Sequence, residues 1–144
     1  MSRILIIGYG NTLRGDDAAG VRAAELMGSR HPELEVVLRH QLTPELSEQI
    51  AASDIVFFLD AETGTTQPNA RLIEPAVEAD QPRTHFFSPE SLLALSRELH
   101  GRVPSKAYVI GIPAFHTGFT EELSAGAQQA VDASVRIIER LLGF

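Results

Sequence analysis

The sequence predicts an α/β protein: a three-layer sandwich with a mostly parallel twisted sheet and helices on both faces. Three observations carry this. First, Ile4-Leu5-Ile6-Ile7, Asp54-Ile55-Val56-Phe57-Phe58-Leu59-Asp60 and Ala107-Tyr108-Val109-Ile110-Gly111-Ile112 are apolar runs without polar alternation. Such runs suit central strands buried on both faces of a parallel sheet. Second, amphipathic helical stretches fall between them, the alternation that builds an open α/β sheet. Third, the first two runs close on Gly8 or Asp60, residue types that end strands.

The remaining elements follow in order. Leu34 to Arg39 and Ala70 to Ile73 read as weaker strands nearer the sheet edges. From Asp17 to Arg30 a helix places Ala19, Ala23 and Leu26 on one face and Arg22, Glu25 and Ser29 on another. Thr43-Pro44-Glu45 and Ser88-Pro89-Glu90 are matching helix starts. Each has a hydroxyl to cap, a proline at the first helical position and an acid beside the positive helix end. The second start leads into Leu92, Leu95 and Leu99, with Gly101 as the stop. A last helix is predicted from near Thr120 to about Leu142, with Ala127, Val131, Val135, Ile138 and Leu142 as its buried stripe. The stretch Ala76 to Phe87 has no periodicity, and aperiodic loops of that length are often functional.

Composition bounds the function. The 144 residues fit one domain, residues 1–144. With 44% hydrophobic and 22% charged residues the chain is globular rather than disordered. The absence of cysteine excludes disulfides, thiolate metal sites and a cysteine nucleophile. No run approaches the ~20 apolar residues of a membrane span. The opening Met1-Ser2-Arg3 and the short run behind it lack a cleavage site, so a cytoplasmic protein is expected. The net charge of −7, with Lys106 the one lysine among twelve basic residues, argues against nucleic acid or an anionic membrane as partner.

The chemistry gathers where the first strand ends, in Gly8-Tyr9-Gly10-Asn11-Thr12-Leu13-Arg14-Gly15-Asp16-Asp17. A glycine-rich turn after strand one suggests a dinucleotide site, but the third glycine of that fingerprint falls on Leu13, and no phosphate-loop Gly-Lys-Ser/Thr follows. Two acids at a helix start suit a cation better than a pyrophosphate. Asp60 closes the central strand and so sits at the same carboxyl edge, where open α/β sheets bind ligands. Singly, Asp16 and Asp17 could cap a helix and Asp60 a turn. Jointly, Asp17 and Asp60 read as a pair facing one site, because the first and third strands are expected to be neighbours. A third ligand would be a histidine. His31 and His100 lie near helix ends and read as solvated; His40, His85 and His116 remain open on pattern alone. No His-Glu-x-x-His, Gly-x-Ser-x-Gly or kinase set is present.

These residues carry a resemblance. Ile4 to Arg22, reading Ile-Leu-Ile-Ile-Gly-Tyr-Gly-Asn-Thr-Leu-Arg-Gly-Asp-Asp-Ala-Ala-Gly-Val-Arg, resembles the signature of the endopeptidases that mature [NiFe]-hydrogenases. Phe58-Leu59-Asp60-Ala61, Gln41 to Leu46, Ser88-Pro89, Ile112-Pro113-Ala114, Gly118 and Leu123-Ser124 extend it over nearly the whole chain. The resemblance implies an endopeptidase that removes the C-terminal extension of a hydrogenase large-subunit precursor once nickel has been installed there. It implies nickel carried by the substrate as the metal, contacted by Asp17, Asp60 and a histidine. In some members that histidine directly follows the Ser-Pro pair, a position held here by Glu90; others carry it a few residues earlier, which matches His85. Two carboxylates and an imidazole suit a divalent first-row metal with open positions. Asp16, Asn11 and Gln41 are candidates for supporting or substrate contacts by position. Two other readings compete: a non-proteolytic module of the same fold that senses metal or nucleotide, and an aspartic-type protease in which Asp17 and Asp60 share a proton.

Overall fold

The computed structural model describes residues 2–77 and 87–144. Its centre is a five-stranded sheet formed by β1 (Ile4–Tyr9), β2 (Glu35–Arg39), β3 (Ile55–Glu62), β4 (Asn69–Leu72) and β5 (Lys106–Pro113), in the order β2-β1-β3-β5-β4. β1, β2, β3 and β5 are parallel; β4 runs antiparallel along β5. The three apolar runs are the three interior strands, and the two weaker runs are the two edges, as the sequence predicts. Phe57 and Phe58 point to opposite faces of β3 and are both fully buried.

Both faces are covered, which is what a parallel sheet of unalternated strands requires. On one face, α1 (Ala19–Arg30) and α4 (Ala125–Leu142) pack Ala23, Met27, Val131, Val135 and Ile138 against Ile6, Phe57, Leu59 and Ile110. On the other, α2 (Leu46–Ala52) and α3 (Pro89–His100) pack Leu46, Ile50, Leu92 and Leu93 against Leu5, Ile7, Val56, Phe58 and Val109. Each large apolar side chain so buried contributes about 1.5–3 kcal/mol. None of the described helices is long and apolar enough to cross a membrane.

Several local expectations shift. Ser88 caps α3 as predicted: its hydroxyl accepts from the Ser91 N–H at 3.1 Å, and Ser91 returns the bond to the Ser88 backbone. Gly101 ends that helix at φ 70°. The matching start at Thr43 does not cap. Its hydroxyl bonds the Glu45 carboxylate instead, and α2 begins at Leu46 after a turn closed by Thr43 and Pro44 carbonyls. In α3 the buried residues are Ser91, Leu92, Leu93, Ala94 and Ser96, while Leu99, predicted on the buried face, is exposed. α4 begins at Ala125 with Ser124 as cap, not near Thr120; residues 114–124 form a loop tied to the start of the chain. His31 is not solvated. Its Nε2 lies 2.6 Å from the Glu139 carboxylate and its ring stacks on Phe144 at 4.3 Å.

The glycines of the first turn serve packing. A Cβ on Gly8 would collide with the Gly20 carbonyl and with Ala24, and one on Gly20 with the Leu59 carbonyl. α1 therefore sits directly on β1 and β3, backbone to backbone, and brings the acids at its start to the carboxyl edge.

Candidate active site

β1 ends at Tyr9, and the chain turns through Gly10 into a 3-10 segment, Gly15–Ala18, that leads into α1. Gly10 has φ 148°, and a Cβ there would overlap the Asp17 carbonyl, so the turn closes tightly on Asp17. The adjacent acids have separate jobs. Asp16 is fully buried. Its Oδ2 accepts from the Phe115 and His116 N–H groups at 2.8 and 2.9 Å and from the Ser124 hydroxyl at 2.7 Å; its Oδ1 accepts from the Ser124 N–H at 2.7 Å. Burial by itself would raise this carboxyl, but the two Ser124 bonds and the Phe115 and His116 N–H groups outweigh it and hold Asp16 below the usual range. Asp16 is thus a structural tie between two loops and neither caps α1 nor faces a ligand.

Asp17 is half-buried. Its Oδ2 accepts from the Asn11 N–H at 2.8 Å, and it makes no capping bond to its own helix. Asn11 in turn folds its side chain back onto the Leu13 N–H at 2.9 Å. Asp17 lines a cavity of about 410 Å³ with Asn11, Arg14, His40 and Thr117.

Asp60 lies near the end of β3, at the same carboxyl edge. Alternation and register put it beside Tyr9: Leu5 and Ile7 of β1 and Val56 and Phe58 of β3 share the face covered by α2 and α3, and Ile7 is level with Phe58. Burial pushes the Asp60 carboxyl up to about 6; the Tyr9 hydroxyl pulls it back, and the negative charges of Glu62 and then Asp17 add to the rise. Burial first and Asp60 second push Tyr9 far above the ordinary phenol range, so its proton stays in place. The pair Tyr9–Asp60 escaped the sequence reading, although period-two alternation along β1 and β3 was a signal sufficient to find it. Glu62 was also missed: its carboxylate sits over Gly111, 2.9 Å from Arg71 and 3.2 Å from the Asn69 amide.

The histidine of the predicted trio, His85, lies outside the described residues. Among those described, no cluster of three or more acids and histidines is arranged to hold a metal ion. His40 is exposed and shares the cavity with Asp17. His116 is exposed too, and its backbone is occupied on both sides by Asp16. Gln41, half-buried after β2, is not among the residues lining that cavity. A larger cavity of about 530 Å³ at the amino end of the sheet, lined by Ile4, Leu34, Ile55 and Phe144 among others, holds none of the candidate residues.

Fold and site together define an α/β protein with two half-buried carboxylates, Asp17 and Asp60, at the carboxyl edge of a mostly parallel sheet. The chain shares the fold of hydrogenase maturation endopeptidases over nearly its whole length. It is similar to the hydrogenase maturating endopeptidase HybD of E. coli, with TM-score 0.79 and 21% identity, covering 97% of this chain and 91% of that one. It is also similar to the [NiFe] hydrogenase maturation protease HycI of Thermococcus kodakarensis KOD1, with TM-score 0.71 and 29% identity over 99% and 94%. HybD of Thermococcus kodakarensis matches with TM-score 0.72 and 23% identity over 96% and 98%. The sequence matches no protein-family model and no curated protein sequence.

Proposed function

We propose that the chain is a processing endopeptidase that removes the C-terminal extension of a [NiFe]-hydrogenase large-subunit precursor, with nickel arriving in the substrate. One observation carries the reading: Asp17 and Asp60 sit at the same sheet edge in a chain that has the fold of proteins named as hydrogenase maturation proteases. The donor set fits a hard-to-borderline divalent ion. Asp17 has a single hydrogen bond to its carboxylate, from Asn11, among the described residues. Asp60 is partly desolvated beside Asp17 and Glu62, so a cation would relieve the repulsion that raises it.

In this reading Asp17, Asp60 and His85 touch the substrate's nickel. The metal serves as a tag of substrate readiness; Lewis-acid polarisation of the scissile carbonyl is the other role open to a divalent ion held there. The chain's own residues do the positioning. Asn11 fixes the Asp17 carboxylate through its N–H. Tyr9 sits level with Asp60 on the neighbouring strand, and burial keeps its phenol protonated. A site with so few fixed ligands binds free metal weakly, which supports nickel as part of the substrate rather than a resident cofactor. The cysteine-free, acidic chain fits work in the cytoplasm on a protein partner, without nucleic acid or membrane. The test is incubation with nickel-loaded and nickel-free precursor, followed by mass measurement. Loss of the C-terminal extension in the loaded sample alone is expected; no cleavage of either would overturn the reading.

A further inference from the structure

Two loops flank the Asp17 cavity, residues 10–18 after β1 and 114–124 before α4, and they are bolted together. The Gly15 N–H donates to the Thr120 carbonyl at 2.8 Å and the Thr120 N–H to the Leu13 carbonyl at 3.2 Å. The Arg14 Nε donates to the Thr117 carbonyl at 3.0 Å. Asp16, buried beneath, takes four hydrogen bonds from the second loop and donates its own N–H to the His116 carbonyl. On this rigid base stand Leu13, Phe115 and Phe119, which are 53%, 45% and 86% exposed. Arg14 lies over the Phe119 ring, 5.0 Å from its centroid, and makes no ion pair with a described carboxylate.

Exposed aromatic side chains on a soluble chain mark interaction sites when they are clustered and held still. Holding still matters, since a surface ordered beforehand spares the ordering cost on binding. The fully buried Asp16 carboxylate, bonded to Phe115, His116 and Ser124, holds the two loops in register beneath these side chains. Location adds the rest: Arg14 and Thr117 belong both to this patch and to the lining of the cavity that holds Asp17.

We propose that Leu13, Phe119 and Arg14 form the docking surface for the folded precursor, gripping a patch of its surface beside the segment to be cut. The matching surface carries an apolar side chain against Leu13 and Phe119 and a carboxylate for the unpaired N–H groups of Arg14. This rests on the endopeptidase reading and adds the partner surface to it. The docking contact acts on the folded precursor and not on its C-terminal peptide alone.

The experiment measures binding and cleavage of purified nickel-loaded precursor by the wild type, Phe119→Ala, Leu13→Ala and, as a control on the last turn of α3, Leu99→Ala, which is 62% exposed. Both Phe119 and Leu13 are too exposed for truncation to unfold the chain, which thermal melts verify. The expected result is a Kd and KM raised roughly tenfold by Phe119→Ala and less by Leu13→Ala, with kcat changed by no more than about twofold. Leu99→Ala should match the wild type. Wild-type binding by both Phe119→Ala and Leu13→Ala, in an assay where the wild type does cleave, overturns the docking surface alone. A wild type that neither binds nor cleaves the precursor overturns the endopeptidase reading and the surface with it. If the wild type dimerises in solution and Phe119→Ala makes it monomeric without changing KM, the patch is a self-association surface and the proposal is wrong.

Discussion

Asp16 and Ser124 meet at two points: the Ser124 N–H donates to one carboxylate oxygen and its hydroxyl to the other, both at 2.7 Å. The same hydroxyl accepts from the Ala127 N–H at 3.2 Å, so the cap of α4 hangs from a carboxylate more than a hundred residues upstream. The start of α4 and the start of α1 are held as one unit.

Asp16→Asn should therefore cost stability, not chemistry. An amide offers one acceptor oxygen where Asp16 offers two, and its NH2 would face N–H donors. A loss of roughly 2–4 kcal/mol is expected in urea denaturation at pH 7. Because folding lowers the Asp16 carboxyl below its ordinary 3.8, its contribution is complete above that value and is lost as pH falls below it. The gap between wild type and variant should narrow in acid. Equal stability at pH 7 would contradict the tie.

Asp60 has the opposite sign. Its carboxyl rises from 3.8 unfolded to about 6 folded, so the folded state binds more protons between those values. Asp60 should erode stability as pH climbs from about 4 to about 6 and no further above that. Asp60→Asn removes the charge and keeps an oxygen for Tyr9. The variant should be more stable than the wild type at pH 7.5, with the advantage fading near pH 4, as read by thermal melts across that range.

Asp17→Asn separates a structural from a functional role. The amide oxygen can still accept from the Asn11 N–H, so the fold should hold within about 0.5 kcal/mol. Processing of a nickel-loaded precursor should fall at least tenfold, because an anionic oxygen is exchanged for a neutral one. Both measurements belong on one preparation; a stable variant that trims at the wild-type rate would remove Asp17 from the site.

The histidine can be settled by substitution. His85→Ala should weaken binding of divalent nickel by roughly tenfold or more in a calorimetric titration, and His116→Ala should not. His40, which shares the cavity with Asp17, is the informative third variant. Loss of nickel binding in His40→Ala with none in His85→Ala would move the ligand to the end of β2.

The interior strands and their ranking against the edges were legible because a strand buried on both faces leaves an unbroken apolar run, and an edge strand does not. The shared edge of Asp17 and Asp60 followed from parallel topology. The division of labour between Asp16 and Asp17 was not legible: it depends on a loop about a hundred residues away that supplies four donors to one acid and none to its neighbour. The same loop moved the start of α4, since Thr120 pairs with residues 13 and 15 instead of opening the helix. Thr43 does not cap because the chain makes one more turn, closed by the Thr43 and Pro44 carbonyls, and the cap position of α2 falls on Glu45. Long-range partners decide the roles of Asp16 and Thr120, and local pattern carries no trace of them.

The backbone contact between Gly20 and Leu59 has a consequence for how the protein tolerates change. A substituent on Gly20 would strike a main-chain carbonyl of β3, which no second mutation can shorten. One on Gly111 would strike the tip of the Glu62 side chain, which can swing away or be trimmed by a substitution at Glu62 itself. Suppressors should thus be recoverable for Gly111→Ala and not for Gly20→Ala, and drift along the lineage has a route open at β5 that is closed where α1 rests on the central strand.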